Sequence, residues 1–401
     1  MLVALLSSQE LASDAGSTPR GFLRVGGQSI LSRQVSFALN SGCERIICLV
    51  DDLSPEIVDI QHRAERAGAV FHAVRSTINL SGMVSIADDL MVISDGLAFD
   101  TDIAAAHIGP HRSVLTIAAD PAVNTGFERL DRDRAWAGIM VIAGALVEQL
   151  AEMPSDIDPQ SSLLRLALQN GTGCVAVPDK AVTDSHWVLA SSAQLAQNFE
   201  TRWLQDRTEV APFIAPTYRL ADQAAITVTK KHPNLRLAAV LSHGGMLVLL
   251  SIAGLLGYFG YASIGFGVAA LAAFSRRFAG TLSVVLRDTA TTTQNVAYEA
   301  SLLALDAVLV GLCIVITPAH DQIEMGFAAV MLIGLLRVTE LILGNSLWRS
   351  WQALGSDRGV LSLGFLGLAF TGAFMVILQI LAVAVLMVLL FQNYRARLTP
   401  T

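Results

Sequence analysis

The chain has 401 residues, of which 53% are hydrophobic and 15% charged, with a formal net charge of −7 and mean hydropathy +0.54. Ordinary soluble domains are about 25% charged, and here the shortage is uneven: residues 1–236 hold 19 Lys+Arg and 27 Asp+Glu (net −8), residues 237–401 hold 8 and 7 (net +1). This excludes a single soluble domain, a disordered chain and a basic nucleic-acid binder, and leaves a mildly acidic soluble half joined to a membrane half.

The apolar start, Met1–Leu6, is too short for a signal peptide and has no basic residue before it, so it reads as a first buried strand. With no export signal ahead of the first span, the soluble half is expected in the cytoplasm. Apolar runs and amphipathic stretches then alternate. Strands are predicted at Leu2–Leu6, Arg45–Val50, Val70–Val74, Leu90–Ser94, Ser113–Ala118, Gly138–Ile142 and Cys174–Val177, and helices at Ile30–Leu39 and Pro55–Ala67. The pattern is that of an α/β domain with a mostly parallel sheet. Such sheets bind ligands beyond the carboxyl ends of their strands, which points to Ser7–Arg24, Asp51-Asp52 and Asp95. Cys43, Cys48, Cys174 and Cys313 form no CxxC or Cys/His metal spacing, which fits a reducing compartment. His107 and His111 are four apart, but Pro110 between them breaks a helical metal pair.

Residues 206–236 contain Pro212, Pro216, Pro233 and the basic group Lys230-Lys231-His232, and read as a linker and juxtamembrane segment. Apolar spans follow at Leu237–Tyr258, Tyr261–Ser275 (ended by Arg276-Arg277), Ala300–Ile316 and Met325–Leu343. Val360–Phe391 is apolar for 32 residues, about 48 Å as one helix against a core of about 30 Å. Gly372 near its middle favours two short spans. Six spans place every cationic group (Arg236, Arg276/Arg277/Arg287, Arg349/Arg358, Arg395/Arg397) on the inside and the acidic Pro318–Glu324 loop outside. Inside the spans, Arg337 and Glu340 are three apart and can pair with each other. Asp306 is expected to face the bundle interior, and His243-Gly244-Gly245 to mark close helix packing.

The order of landmarks resembles the sugar-phosphate nucleotidyltransferases over roughly residues 1–205: MLVALLSS, Pro19-Arg20, Phe22–Gly27, Ile30–Leu39, Arg45–Val50, then LMVISDGLAFD (90–100), WAGIMVI (136–142) and SHWVLASSAQLAQNFETRW (185–203). The resemblance implies a phosphate loop after the first strand, with Gly16, Gly21 and Arg20 as its nucleotide-binding remnants, and Asp95 as a metal ligand for Mg²⁺ with a nucleoside triphosphate. Asp95-Gly96 is equally a turn pair at a strand end. The departures are specific. The loop reads Ser7-Ser8-Gln9-Glu10 where glycines would let backbone N–H groups reach a triphosphate. Arg20 stands for a lysine, and Trp187 is followed by Val188-Leu189 where the family has a second metal-binding Asp.

A soluble half of this kind before about six spans is similar in architecture to bifunctional inositol-phosphate cytidylyltransferases fused to a CDP-alcohol phosphotransferase. The corresponding stretch, Phe274–Val310, has only Asp288, Glu299 and Asp306, at the wrong spacing for that family's aspartates, and Thr289–Thr293 has no role. Asp306 is its one candidate catalytic carboxylate. Residues 1–205 are thus expected to form a nucleotidyltransferase-like domain and residues 237–401 a helical membrane domain. The lost glycines and aspartates favour a pseudoenzyme, a scaffold or accessory subunit in a bacterial-type inner membrane, with the lipid bilayer, other membrane subunits or a second copy as partners. The alternative is an active nucleotidyl- or phosphoalcohol-transferring enzyme.

Overall fold

A computed structural model describes residues 1–14, 16–75, 80, 82–109, 111–153, 157–208, 210–231, 235–286, 292–342 and 349–398. The chain divides into two compact units, Met1–Asp206 and Arg207–Thr401.

The first unit runs β1 (Leu2–Ser8), a 3-10 turn at Arg20–Phe22, β2 (Arg24–Val25), β3 (Gln28–Ser29), α1 (Ile30–Asn40), β4 (Arg45–Val50), α2 (Pro55–Arg66), β5 (Val70–Val74), β6 (Asp89–Ile93) and β7 (Leu97–Phe99). It continues with α3 (Thr101–His107), β8 (Ser113–Ala118), α4 (Ala119–Val123), β9 (Arg134–Ala143), α5 (Ala145–Ala151) and α6 (Pro159–Gln169). β10 (Gly173–Ala176), α7 (Asp179–Thr183), β11 (Trp187–Leu189) and α8 (Ala193–Arg207) complete it. Seven strands form one sheet in the order β10-β8-β9-β6-β1-β4-β5. All its pairings are parallel except those of β9 with β6 and β8. The α/β reading is therefore correct.

β1 explains why its sequence is continuously apolar rather than alternating. Ala4 and Leu6 enter one core cluster with Leu31, Val35 and Ile46, while Val3 and Leu5 enter the opposite cluster with Ile47, Leu49 and Leu163. A strand covered by helices on both faces needs apolar side chains on both. Ser29 and Ser54 cap α1 and α2 through their hydroxyls, so Asp51-Asp52 do not cap α2 and are exposed, with Asp51 Oδ1 accepting from Gln9 Nε2 at 2.9 Å. Trp187 is fully buried against Phe99, with its indole N–H donating to the Ala137 carbonyl at 2.7 Å. That strand, β11, pairs with β7 outside the main sheet.

The second unit is helical: α9 (Pro216–Lys231), α10 (Leu235–Tyr258), α11 (Ala262–Leu286), α12 (Thr292–Ile316), α13 (Gln322–Ile342), α14 (Arg349–Ser356), α15 (Arg358–Leu368) and α16 (Phe374–Leu398). Five of these are long and apolar enough to cross a membrane: Leu237–Tyr258, Ala262–Val285, Tyr298–Ile316, Gln322–Thr339 and Phe374–Phe391.

Three expectations are corrected here. The stretch Val360–Phe391 breaks into an 11-residue helix, α15, and the long α16, so the expected sixth span is only about 16 Å long. α15 packs inside the unit at both of its ends. Arg358 at its start meets Asp306 of α12, and Phe365 near its finish packs with Phe266 at the start of α11 and Phe374 at the start of α16. Secondly, Arg276-Arg277 do not end α11, which continues to Leu286. Both guanidiniums find partners on neighbouring helices, so their charge need not leave the bundle. Thirdly, residues 216–231 are not a bare linker. They form α9, whose Ala221, Asp222, Ala225 and Thr229 are buried at the i, i+1, i+4, i+8 positions of one helix face.

Candidate functional site

At the carboxyl end of the main sheet, β6 leads into Ser94, Asp95 and Gly96 before β7. Gly96 has φ +68° and closes the turn with Leu97 N–H donating to the Ser94 carbonyl at 3.3 Å. The turn reading of Asp95-Gly96 is thus realised, and it aims Asp95 at the segment after β1. The carboxylate oxygen Oδ2 accepts from the backbone N–H groups of Gln9 and Glu10, 2.8 Å each, and from the Ser7 hydroxyl at 3.4 Å. Asp95 is only 3% exposed.

The segment after β1 is tied down at several further points. Leu11 bridges Pro19, Arg20 N–H donates to the Glu10 carbonyl at 2.7 Å, and Ala12 N–H to the Thr18 carbonyl at 2.9 Å. Asp14 accepts from Ala193 N–H at 2.6 Å and Gln194 N–H at 3.3 Å, capping α8. The Arg20 guanidinium is ion-paired with the Glu10 carboxylate.

Two features stand out. The backbone amides and the arginine that a bound phosphate would use are already satisfied by the protein's own carboxylates, Asp95 and Glu10. Yet three buried polar atoms here lack a hydrogen-bond partner: Ser8 Oγ, Arg20 Nε and Asp95 Oδ1. Burial pushes the Asp95 carboxyl up to about 7, and the Glu10 carboxylate adds to this, while the two amides and Arg20 pull the other way.

The structure brings Asp95, Arg20 and Gly21 together. A Cβ on Gly21 would sit 3.0 Å from Ser8 Oγ, whereas Gly16 (φ +65°) faces open space. Leu189, where the resemblance leads one to expect a second Asp, is buried and pairs with Leu97. Asp95 Oδ1 is buried without a partner, and Glu10 is held by Arg20. This donor set does not fit a carboxylate-clamped Mg²⁺, and no metal-dependent step is derived for it. Among the described residues no three His, Cys, Asp or Glu side chains group closely enough to hold a metal.

The packing around Gly96 makes a specific prediction. A Cβ there would lie 2.7 Å from Arg20 Cβ, on a backbone with positive φ. Gly96→Ala should destabilise the first unit by about 1–3 kcal/mol, read as a lower denaturant midpoint at unchanged slope. An unchanged midpoint would mean that Arg20 does not pack there.

In the helical unit, Asp306 is 6% exposed and faces inward as expected. Its two oxygens are taken by Arg337 Nε at 2.7 Å and Arg358 Nε at 2.9 Å. The carboxylate thus ties α12, α13 and α15 together; the expected Arg337–Glu340 pairing falls on a side chain outside the described residues. The side chain of Glu340, together with Asp288 and Thr289–Thr291, lies outside the described residues. Glu299 is exposed, so the region does not assemble a carboxylate metal cluster among the described residues.

Sequence reasoning missed two carboxylates. Asp222 of α9 accepts from Arg277 (Nε 2.8 Å, Nη2 2.9 Å) and from the Thr281 hydroxyl at 2.7 Å. Asp357 caps two helices with one carboxylate: Oδ1 accepts from Gly359 and Val360 N–H, and Oδ2 from Thr217 and Tyr218 N–H. Burial raises its carboxyl above the usual range despite those four donors. Asp357 directly before an apolar run is a legible N-cap signal, but nothing local marks its second role.

No family profile and no curated protein matches the chain. Among solved structures it is similar to a UDP-glucose pyrophosphorylase from Acinetobacter baumanii (TM-score 0.37, 11% identity, 52% of this chain and 95% of that one). It is also similar to the inositol-1-phosphate CTP transferase from T. maritima (0.36, 13%, 49% and 96%) and to HddC from Yersinia pseudotuberculosis complexed with GMP-PN (0.36, 11%, 51% and 100%).

Proposed function

We propose that this is a membrane-anchored, degenerate nucleotidyltransferase-like protein whose N-terminal domain no longer transfers nucleotides and serves as a scaffold or accessory subunit of a membrane complex. One observation carries the reading: the Gln9 and Glu10 amides are bonded to Asp95 and Arg20 is paired with Glu10. A triphosphate would have to displace two internal carboxylates, with Leu189 in place of a second metal ligand. The reading places the chain in a bacterial-type inner membrane with the N-terminal domain and the C-terminus in the cytoplasm, on the sequence positions of Lys230, Lys231, Arg395 and Arg397. This placement requires the short α15 to complete a sixth pass beside the five helices long enough to cross. Partners of this reading are the bilayer and either other membrane subunits or a second copy of the chain.

The second reading, an active transferase of nucleotidyl or phosphoalcohol groups, draws on the unpartnered Asp95 Oδ1, Ser8 Oγ and Arg20 Nε, which leave hydrogen-bonding capacity for a ligand. The two readings separate in a binding measurement. The full chain in detergent is titrated with CTP and other nucleoside triphosphates, with and without Mg²⁺. The pseudoenzyme reading expects no Mg²⁺-dependent binding and no pyrophosphate release. Tight Mg²⁺-dependent binding that disappears in Asp95→Asn would overturn it.

A further inference from the structure

α9 has two unlike faces. Ala221, Asp222, Ala225 and Thr229 are buried, and Asp222 bonds Arg277 and Thr281 of α11. The first turn is fixed to the start of α15, where Asp357 Oδ2 accepts from the Thr217 and Tyr218 N–H groups and Gly359 leaves no room for a Cβ beside Thr217. On the other side Pro216, Leu220, Gln223 and Thr227 are exposed, at the i, i+4, i+7 and i+11 positions of one face. Leu220 is 60% exposed, and Phe213, in the turn that leads into α9, is 84% exposed. That turn is held too. Ala211 N–H donates to Asp222 Oδ2 and Ala215 N–H to the Pro212 carbonyl, 2.9 Å each, so the Phe213 ring is presented on an anchored backbone.

The anchors set the level of α9. Arg277 and Thr281 lie eight and four residues before the end of the apolar stretch Ala262–Val285, about 12 Å and 6 Å along the helix axis. α9 thus packs on the last turns of a span, where a hydrocarbon core gives way to headgroups. The chain then enters α10, the first span, whose Leu237, Val240 and Leu241 are exposed as well. The exposed apolar side chains of α9 therefore continue along the chain into a surface that faces lipid.

Charge points the same way. Residues 207–236 hold five cations (Arg207, Arg219, Lys230, Lys231, Arg236) and two acids, Glu209 and Asp222, and Asp222 is taken by Arg277. The Arg219 guanidinium lies 5.8 Å over the Phe213 ring, which sets a cation beside the exposed aromatic. Apolar side chains that reach the acyl boundary, with cations next to them to meet lipid phosphates, suit a helix lying in the membrane surface.

We propose that residues 210–231 lie along the headgroup layer of an anionic leaflet, with Phe213 and Leu220 in its apolar boundary and Arg219, Lys230 and Lys231 drawing anionic lipid to the edge of the bundle. The proposal rests on the membrane anchoring inferred above, and it is independent of the nucleotide question in the first unit.

The test uses the full chain with Cys174 replaced by alanine, the other three cysteines being buried. Phe213→Cys, Leu220→Cys and Val383→Cys, in separate chains, carry an environment-sensitive dye. Val383 is exposed midway along the span Phe374–Phe391 and is the control for lipid. Each chain is reconstituted in nanodiscs of phosphatidylcholine and phosphatidylglycerol, with a nitroxide near the headgroup or near the chain end of one lipid. Dyes at 213 and 220 should be quenched by the shallow nitroxide and the dye at 383 by the deep one. Quenching at 213 and 220 by aqueous iodide alone, by the deep nitroxide alone, or by none of the three (a surface covered by the first unit or a second copy) overturns the proposal. If the dye at 383 is also out of reach of lipid, the membrane anchoring fails with it. Should Phe213→Cys not fold, Leu220→Cys gives the same reading.

The anionic preference has its own readout. Shallow nitroxide on phosphatidylglycerol should quench the dye at 220 about twofold more than the same nitroxide on phosphatidylcholine. Arg219→Gln, Lys230→Gln and Lys231→Gln together should remove the excess. Equal quenching by the two lipids in the otherwise unaltered chain, or an excess that survives all three substitutions, overturns the assignment of these cations.

Discussion

Asp306→Ala should destabilise the helical unit by about 3–5 kcal/mol, because it takes a shared, buried carboxylate from Arg358 and from Arg337 at once. Arg358 is fully buried and Asp306 nearly so, and each carboxylate oxygen serves one arginine. Removing the carboxylate therefore breaks two charge-assisted contacts between three helices, not one. For a unit of this size the loss corresponds to a fall in Tm of about 10 °C. A suitable reporter is Cys313, fully buried in the helical core, in a chain whose other three cysteines are alanine: its labelling by a maleimide dye on heating marks the opening of the bundle. The triple replacement Asp306→Leu, Arg337→Met, Arg358→Met should recover most of the loss, since apolar groups of similar volume can replace a buried ion cluster. If Asp306→Ala melts with the wild type, the three side chains are solvated and the tie between α12, α13 and α15 is not what holds them together.

Asp95→Asn is expected to stabilise the first unit at pH 8 and to leave it almost unchanged at pH 4. The carboxyl has its usual value near 3.8 in the unfolded chain and is pushed to about 7 in the folded one, chiefly by burial. Between these values the folded protein holds a proton that the unfolded chain has released. Its contribution to stability is therefore complete below the unfolded value and is lost as pH rises to about 7, after which the curve is level. A shift of that size corresponds to about 4 kcal/mol. Asparagine stays neutral throughout, and its side-chain oxygen can still accept from Gln9 and Glu10. Denaturant midpoints of wild type and Asp95→Asn, measured from pH 4 to 8, should diverge steadily up to about pH 7. Parallel curves would show that Asp95 is solvated. The same variant then separates structure from function: in the proposed reading it gains stability and loses no nucleotide binding, because there is none to lose.

Much of the first unit was legible locally. Continuous apolar runs such as Leu2–Leu6 and Arg45–Val50 mark strands buried on both faces, and β4, β5 and β8 coincide with their predicted bounds. The short strands β7 and β11 were not legible as strands, because three-residue elements have too few side chains to set a period and exist only through each other. β9 begins earlier than predicted, since the segment before Trp136 is apolar only in part yet is pinned by pairing with β8.

The candidate site shows the same division. The missing glycines and the Leu189 position could be read residue by residue. That Asp95 bonds the Gln9 and Glu10 amides could not, because the partners are more than eighty positions apart in the chain.

In the membrane half, hydropathy alone located four long helices and the C-terminal pair. The physical reason is that burying apolar surface and keeping charge out of lipid depend on composition over one helix length, which is a local property. The destination of each charge is not local. Arg276 and Arg277 looked like the end of a span, and nothing local showed that Arg337 would reach Asp306 on another helix. Tertiary structure decided otherwise, because a buried charge settles against whichever carboxylate, hydroxyl or carbonyl the neighbouring helices bring within hydrogen-bond reach, and only packing determines which those are.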